Sequence, residues 1–157
     1  MDMGEIIGTT AEDVVARRRW MGVLARASGA EIAGRLREAA PLPPHTRLRG
    51  PEIGLVMARG RQGGDGAPFN LGEMTVTRCT VGLGSAAVGH AYVAGRDARK
   101  AELAAVLDAA LQDRALRPGL LDAVIEPLAT AQAERAARTA RKAAATRVDF
   151  STLAVMR

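Results

Sequence analysis

The chain has little of what most catalytic and metal-binding chemistry uses: one cysteine, two histidines and four aromatic residues, Trp20, Phe69, Tyr92 and Phe150, in 157 residues. A lone Cys79 excludes an intramolecular disulfide and a multi-cysteine metal site, and it suits a cytoplasmic protein. No stretch approaches the roughly 18 apolar residues of a membrane span. Residues 1–9 carry Asp2 and Glu5 and lack a basic region ahead of a long apolar run, so they are expected to form a flexible N-terminus and not a secretory signal. With so few aromatic platforms, stacking on nucleic-acid bases has little to work with. The core must be built from Val, Leu, Ile and Ala.

What is abundant is arginine and alanine. The length suits one domain spanning residues 1–157. The formal charge of +5 comes from 22 basic and 17 acidic residues. It fits an anionic partner and equally fits a genome biased toward Arg and Ala codons, and charge alone does not choose between them.

Thr10-Ala11-Glu12-Asp13 has the form of a helix start, with a hydroxyl cap and acids in the first turn. Val14, Trp20, Met21, Val23, Leu24 and Ala27 follow at helical spacing, with Arg17, Arg18, Arg19 and Arg26 expected on the polar side. Ser28 to Glu31 is a second capping box, and Pro41, Pro43 and Pro44 end the helix it opens. The chain thus begins with a helical hairpin. Strands are expected at Glu52 to Met57, Met74 to Val81 and Val88 to Val93, in a small antiparallel sheet with room for an extra edge strand near Arg47. Asp97 should cap a helix to about Leu116, broken at Arg117-Pro118-Gly119. A short helical segment from Leu120 to Ile125 should end near Pro127, and an alanine-rich helix should run from Ala129 to Ala145. That last helix reads as solvated, or as a close-packing or anion-facing element at a subunit contact. The fold class is therefore α+β, a small antiparallel sheet packed with an N-terminal helical hairpin and C-terminal helices. The tail from Thr146 is apolar for a chain end. Val148, Phe150 and Leu153 suit docking, on this chain's own sheet or on a partner.

Between the first two strands lies Arg59 to Glu73, a stretch expected to be a loop. Gly60, Gly63, Gly64 and Gly66 allow the backbone to turn its N–H groups inward as an anion nest, flanked by Arg59, Arg61 and Arg78. The loop lacks the GKS or GKT of a P-loop, and GRQGGDG does not match GxGxxG. His45 and His90 stand in no HExxH-like motif, and Cys79 in a strand reads as a buried small side chain. Neither a catalytic set nor a metal-ligand set is expected in this chain.

Taken in order, RRRWMGVLA from Arg17, EIGLVM from Glu52, RQGGDGAPFNLGE from Arg61, VTR from Val76, GHAYVAGRD from Gly89, AELAA from Ala101 and TRVDF from Thr146 resemble the PhnG family. This family is a subunit of the bacterial carbon–phosphorus lyase system for phosphonate use. Family tails usually carry a second aromatic after TRVDF, whereas Ser151 stands here, so the manner of tail docking is left open. The resemblance implies an accessory subunit that works with PhnI-, PhnH- and PhnJ-like subunits and a PhnL-like protein. Those partners transfer a phosphonate to ribose C1 of ATP with release of adenine, and they house the iron–sulfur cluster and SAM on another subunit. It implies no cofactor of this chain's own and no nucleic-acid or membrane partner. A shared active site with the PhnI-like subunit, to which the loop arginines would contribute, is the alternative, and a basic nucleic-acid-binding protein is a third reading that ranks below it.

Overall fold

The computed structural model describes residues 10–39, 41–84 and 87–148. The chain opens with α1 (Ala11–Arg26) and α2 (Gly29–Leu36), the expected helical hairpin. Both N-termini are closed by reciprocal capping boxes, Thr10 with Asp13 and Ser28 with Glu31, so the orphan amides of each first turn have partners. Three strands follow, β1 (His45–Arg61), β2 (Pro68–Leu83) and β3 (Val88–Ala94), paired antiparallel in the order β1-β2-β3. Then come α3 (Ala98–Gln112), a short α4 (Arg117–Leu120), a π turn at Leu121–Ile125 and α5 (Glu126–Ala145). The α+β architecture is the one the residue pattern implies.

The helix α3 occupies the middle of the molecule, with the sheet on one side and α1 and α2 on the other. Burial on both sides accounts for its alanines: Ala101, Ala104, Ala105, Ala109 and Ala110 are all buried, and small side chains let the layers approach. Contact with β3 is closest at Gly89, where a Cβ would fall inside the Ala105 carbonyl oxygen and within 2.8 Å of the Ala109 side chain. Trp20, Leu24, Ile32, Leu107, Leu111 and Ile125 supply the bulk of the core.

Several boundaries differ from the sequence expectation. The strand expected at Glu52 and the edge strand near Arg47 are one continuous strand, because register shifts between Arg47 and Glu52 absorb Gly50 and Pro51 as bulges on an edge where Pro removes no ladder bond. Most of Arg59 to Glu73 is ladder, with Arg59 paired to Asn70, Gly60 to Phe69 and Arg61 to Pro68. The true loop is only residues 62–67. Helix α3 ends at Gln112 and not near Leu116.

Pro118 and Pro127 break nothing. Each lies in the first turn of its helix, where a missing N–H is tolerated. The π turn ahead of Pro127, closed by the Glu126 N–H on the Leu121 carbonyl, widens the backbone where a proline ring would otherwise clash, so helical structure continues from Arg117 to Ala145. Val14 is exposed and leaves the core stripe that begins at Trp20. From Ala133 to Val148 every residue is exposed, so the alanine-rich helix projects into solvent. Residues 1–9, Phe150 and Leu153 lie outside the described residues.

Candidate functional site

Two features organise the molecule around its surfaces: a buried carboxylate that fixes the helices to the sheet, and a two-stranded ribbon that projects beyond them. The carboxylate is Asp108, fully buried on α3. Its Oδ1 accepts from Arg17 Nε at 3.1 Å and from Trp20 Nε1 at 2.9 Å, while Oδ2 accepts from Arg17 Nη2 at 2.7 Å and from the His90 backbone N–H at 2.9 Å. Four donors satisfy both oxygens, two of them in a bidentate fork. Arg17 therefore does not extend to the polar side with Arg18 and Arg19; it turns inward and also reaches the Val88 carbonyl at 3.4 Å. Edge strand β3 is thereby tied to α1 and α3 through side chains.

Composition and spacing did not reveal this junction. Its signal is Asp108 standing alone in the apolar run Ala104 to Leu111, an acid that can be buried only with donors around it, and Arg17 and Trp20 three residues apart on one helix face. Arg117 completes the corner. Its guanidinium sits 5.5 Å from the Trp20 ring centroid and donates to Asp13 Oδ1 at 2.9 Å and to the Leu111 carbonyl at 2.8 Å.

The ribbon follows from unequal strand lengths. Pairing of β2 with β3 runs only from Gly82↔Val88 to Val76↔Ala94, whereas β1 and β2 pair onward to Arg61↔Pro68. From Leu55↔Thr75 outward the sheet is two strands wide and extends about 20 Å further at the ordinary rise per residue. At its tip Gly63 (φ 63°) and Gly64 (φ 92°) adopt left-handed backbone that favours glycine. The Gly66 N–H donates to the Gln62 carbonyl at 2.9 Å, and Arg61 Nη1 donates to the Gly66 carbonyl at 3.0 Å. Arg59 and Arg61 are exposed beside this turn.

Arg78 is not with them. It lies nine residues along β2 from Phe69, about 30 Å away. There it shares Glu52 with Arg49: Glu52 Oε1 accepts from Arg49 Nε at 2.8 Å and Oε2 from Arg78 Nη2 at 3.1 Å. The Arg49 hydrogen bond, followed by Arg78, holds the Glu52 carboxyl below the usual range. The structure thus brings Arg59, Arg61, Gly63, Gly64 and Gly66 together and sets Arg78 apart. Val148 is exposed past the end of α5.

The two histidines do not meet either. His90 Nδ1 lies 3.1 Å from the Thr80 hydroxyl, and His45 Nε2 lies 3.1 Å from Glu102 Oε1, a carboxylate also held by Arg47 Nε at 2.6 Å. Arg47 first, then His45, lowers the Glu102 carboxyl. Cys79 is buried, its thiol donating to the Arg49 carbonyl at 3.5 Å, and burial pushes that thiol up. Among the described residues no group of three or more His, Cys, Asp and Glu is arranged to hold a metal ion. No helix among them is long and apolar enough to cross a membrane.

These residues lie in a chain of recognisable lineage. The family described as phosphonate metabolism protein PhnG matches residues 15–155. The chain belongs to the PhnG family. A relative from Rhizobium meliloti (strain 1021), described as alpha-D-ribose 1-methylphosphonate 5-triphosphate synthase subunit PhnG, is 44% identical over 146 residues, covering 92% of this chain and 93% of the relative. Several stretches that carry the PhnG resemblance prove to be architecture. Arg17 and Trp20 hold Asp108, Gly89 admits α3 against the sheet, Gly95 turns with φ 88°, and Asp97 caps α3 by accepting from the Lys100 N–H at 2.9 Å. The ribbon stretch from Arg61 to Glu73 resembles the family as closely, yet it is exposed apart from Gly66 and supplies no residue to the core cluster.

Proposed function

We propose that this PhnG-family chain is an accessory subunit of a cytoplasmic carbon–phosphorus lyase core assembly. In that role it supports transfer of a phosphonate to ribose C1 of ATP with release of adenine. Its partners are PhnI-, PhnH- and PhnJ-like subunits, with a PhnL-like protein in the reaction; ATP and phosphonate are substrates of the assembly, and the iron–sulfur cluster and SAM belong to another subunit. The observation that carries this reading is the 44% identity, over nearly both whole chains, to a protein described as a subunit of the ribose 1-methylphosphonate 5-triphosphate synthase. The projecting ribbon and the exposed end of α5 support it, since both extend away from the core and offer surface to other chains.

Co-expression with the partner subunits, comparing the full chain with one truncated after Arg147, tests the reading. The full chain should co-purify with the assembly, and the truncated chain should be retained less. Equal retention removes the tail from the account, and absence of the full chain from the assembly removes the subunit role.

A second reading, contribution of anion-binding residues to an active site shared with the PhnI-like subunit, draws on the tip geometry. There Arg61 is anchored on the Gly66 carbonyl beside two left-handed glycines and Arg59. Under this reading Arg61→Ala leaves assembly intact but abolishes adenine release from ATP and methylphosphonate. Unchanged release limits the tip to partner contact.

A further inference from the structure

Along β1, from the last three-stranded rows into the ribbon, Ile53, Leu55 and Met57 are 58%, 62% and 49% exposed. They are not on the outer face of the sheet. Ile53 pairs with Thr77, which pairs in turn with Val93, and directly paired residues share a face. Val93 is buried on the side covered by α3, so the three apolar side chains continue the core-facing surface of the sheet past the point where the helices stop. The strip therefore has the chemistry of a core face without a second layer, on an edge strand with no neighbour on its outer side among the described residues. Its charge is uneven. Toward the tip the same strand alternation brings Arg59 and Arg61 into line with Ile53, Leu55 and Met57, against one carboxylate, Glu73, opposite Met57.

We infer that the core-side face of this ribbon, centred on Leu55, is a docking surface for a different protein chain, one that presents an apolar face continued at one end by carboxylates. The inference rests on the subunit role proposed above and names the surface by which that role is carried out. A second copy of this chain fits poorly. Two copies stacked face to face would each bring Arg59 and Arg61 against the single strip carboxylate Glu73, so like charge meets like. The chain's own tail also fits poorly, because residues 149–157 offer a single acidic side chain, Asp149, to the two arginines of the strip.

The test uses the full chain co-expressed with the subunits of the proposed assembly, with retention measured at about 50 mM and about 500 mM salt. Leu55→Asp places an unpaired charge in the buried interface and is expected to weaken retention about tenfold or more at both salt concentrations. Arg59→Glu with Arg61→Glu should weaken it chiefly at low salt, where the wild-type contact is strongest. Circular dichroism of each isolated variant should match the wild type, since Leu55 is 62% exposed and lies outside the buried core cluster.

Retention of Leu55→Asp at the wild-type level overturns the docking surface while leaving the subunit role intact. Failure of the wild type to be retained overturns both. Two further results assign the strip to another occupant and overturn the inference: self-association of the isolated wild type that Leu55→Asp abolishes, or slow amide exchange at residues 53–57 of the isolated chain that truncation after Val148 removes.

Discussion

Replacing Asp108 with asparagine removes one charge and almost no volume, yet the structure makes it one of the most damaging single changes available. The carboxylate accepts four hydrogen bonds, two at each oxygen. An asparagine amide offers one acceptor oxygen and one NH2, so whichever way it turns, two donors face a donor. They are either Arg17 Nε with the Trp20 indole, or Arg17 Nη2 with the His90 amide. The arginine, with a side chain 33% exposed, can turn toward solvent and contributes little to the loss. The indole or backbone amide has no such escape, and an orphaned buried donor costs about 1–3 kcal/mol. Breaking a buried charge pair by removing one partner costs about 3–5 kcal/mol. Partial exposure of Arg17 argues for the lower end, so we expect Asp108→Asn to lose about 3 kcal/mol, a fall in Tm of about 6–12 °C for a domain of this size. Trp20→Phe leaves the carboxylate three donors but also opens space in the core, so its loss combines a hydrogen bond with packing and should come to about 2–4 kcal/mol. Urea unfolding of the isolated chain followed by circular dichroism measures both. A loss below about 1 kcal/mol for Asp108→Asn would refute the assignment of Asp108 as the tie between helices and sheet.

Gly89→Ala forces a methyl group against the Ala105 carbonyl and the Ala109 backbone, and should cost about 1–3 kcal/mol or more; Gly54→Ala, with open space at its Cβ, should be close to neutral in the same unfolding assay. The Glu31 carboxyl is held down to about 2, first by the Ser28 backbone N–H, then by the Ser28 hydroxyl and Arg135. A folded-state value below the unfolded one contributes stability that is complete above about pH 4.3 and is lost as pH falls toward 2, so Glu31→Gln should unfold with a shallower acid limb than the wild type, as read from urea midpoints across that window.

Helix starts were legible because the signals are local. Thr10 with Asp13, Ser28 with Glu31 and Asp97 with Lys100 each satisfy amides within one turn, so four consecutive residues carry the information. The ends of strands were less legible. Four glycines between Arg59 and Glu73 suggested a long loop, but Gly60 lies in the ladder with Leu71 packed over it, and a register shift after Ala58 hides the alternation of Phe69 and Leu71. Pro118 and Pro127 looked like helix breaks because their tolerance depends on position within the first turn and on the π turn before Pro127. The Asp108 junction depends on residues 88 and 91 positions away, a distance over which no local pattern operates. At the candidate site, the tip residues are neighbours in sequence and so remain neighbours in space, whereas the length of β2 carries Arg78 away from them, to pair with Glu52. The exposed strip at Ile53, Leu55 and Met57 had the pattern of an ordinary strand, and only the helix layer's extent shows that nothing among the described residues covers it.

Adenine release from ATP and methylphosphonate, measured with the partner subunits in the presence and absence of this chain, tests the central claim most directly. Little or no release is expected from the chain alone, full release from the complete set, and loss of release when the chain is omitted. Release at the full rate by the partner subunits without it, or by this chain on its own, would contradict the accessory role.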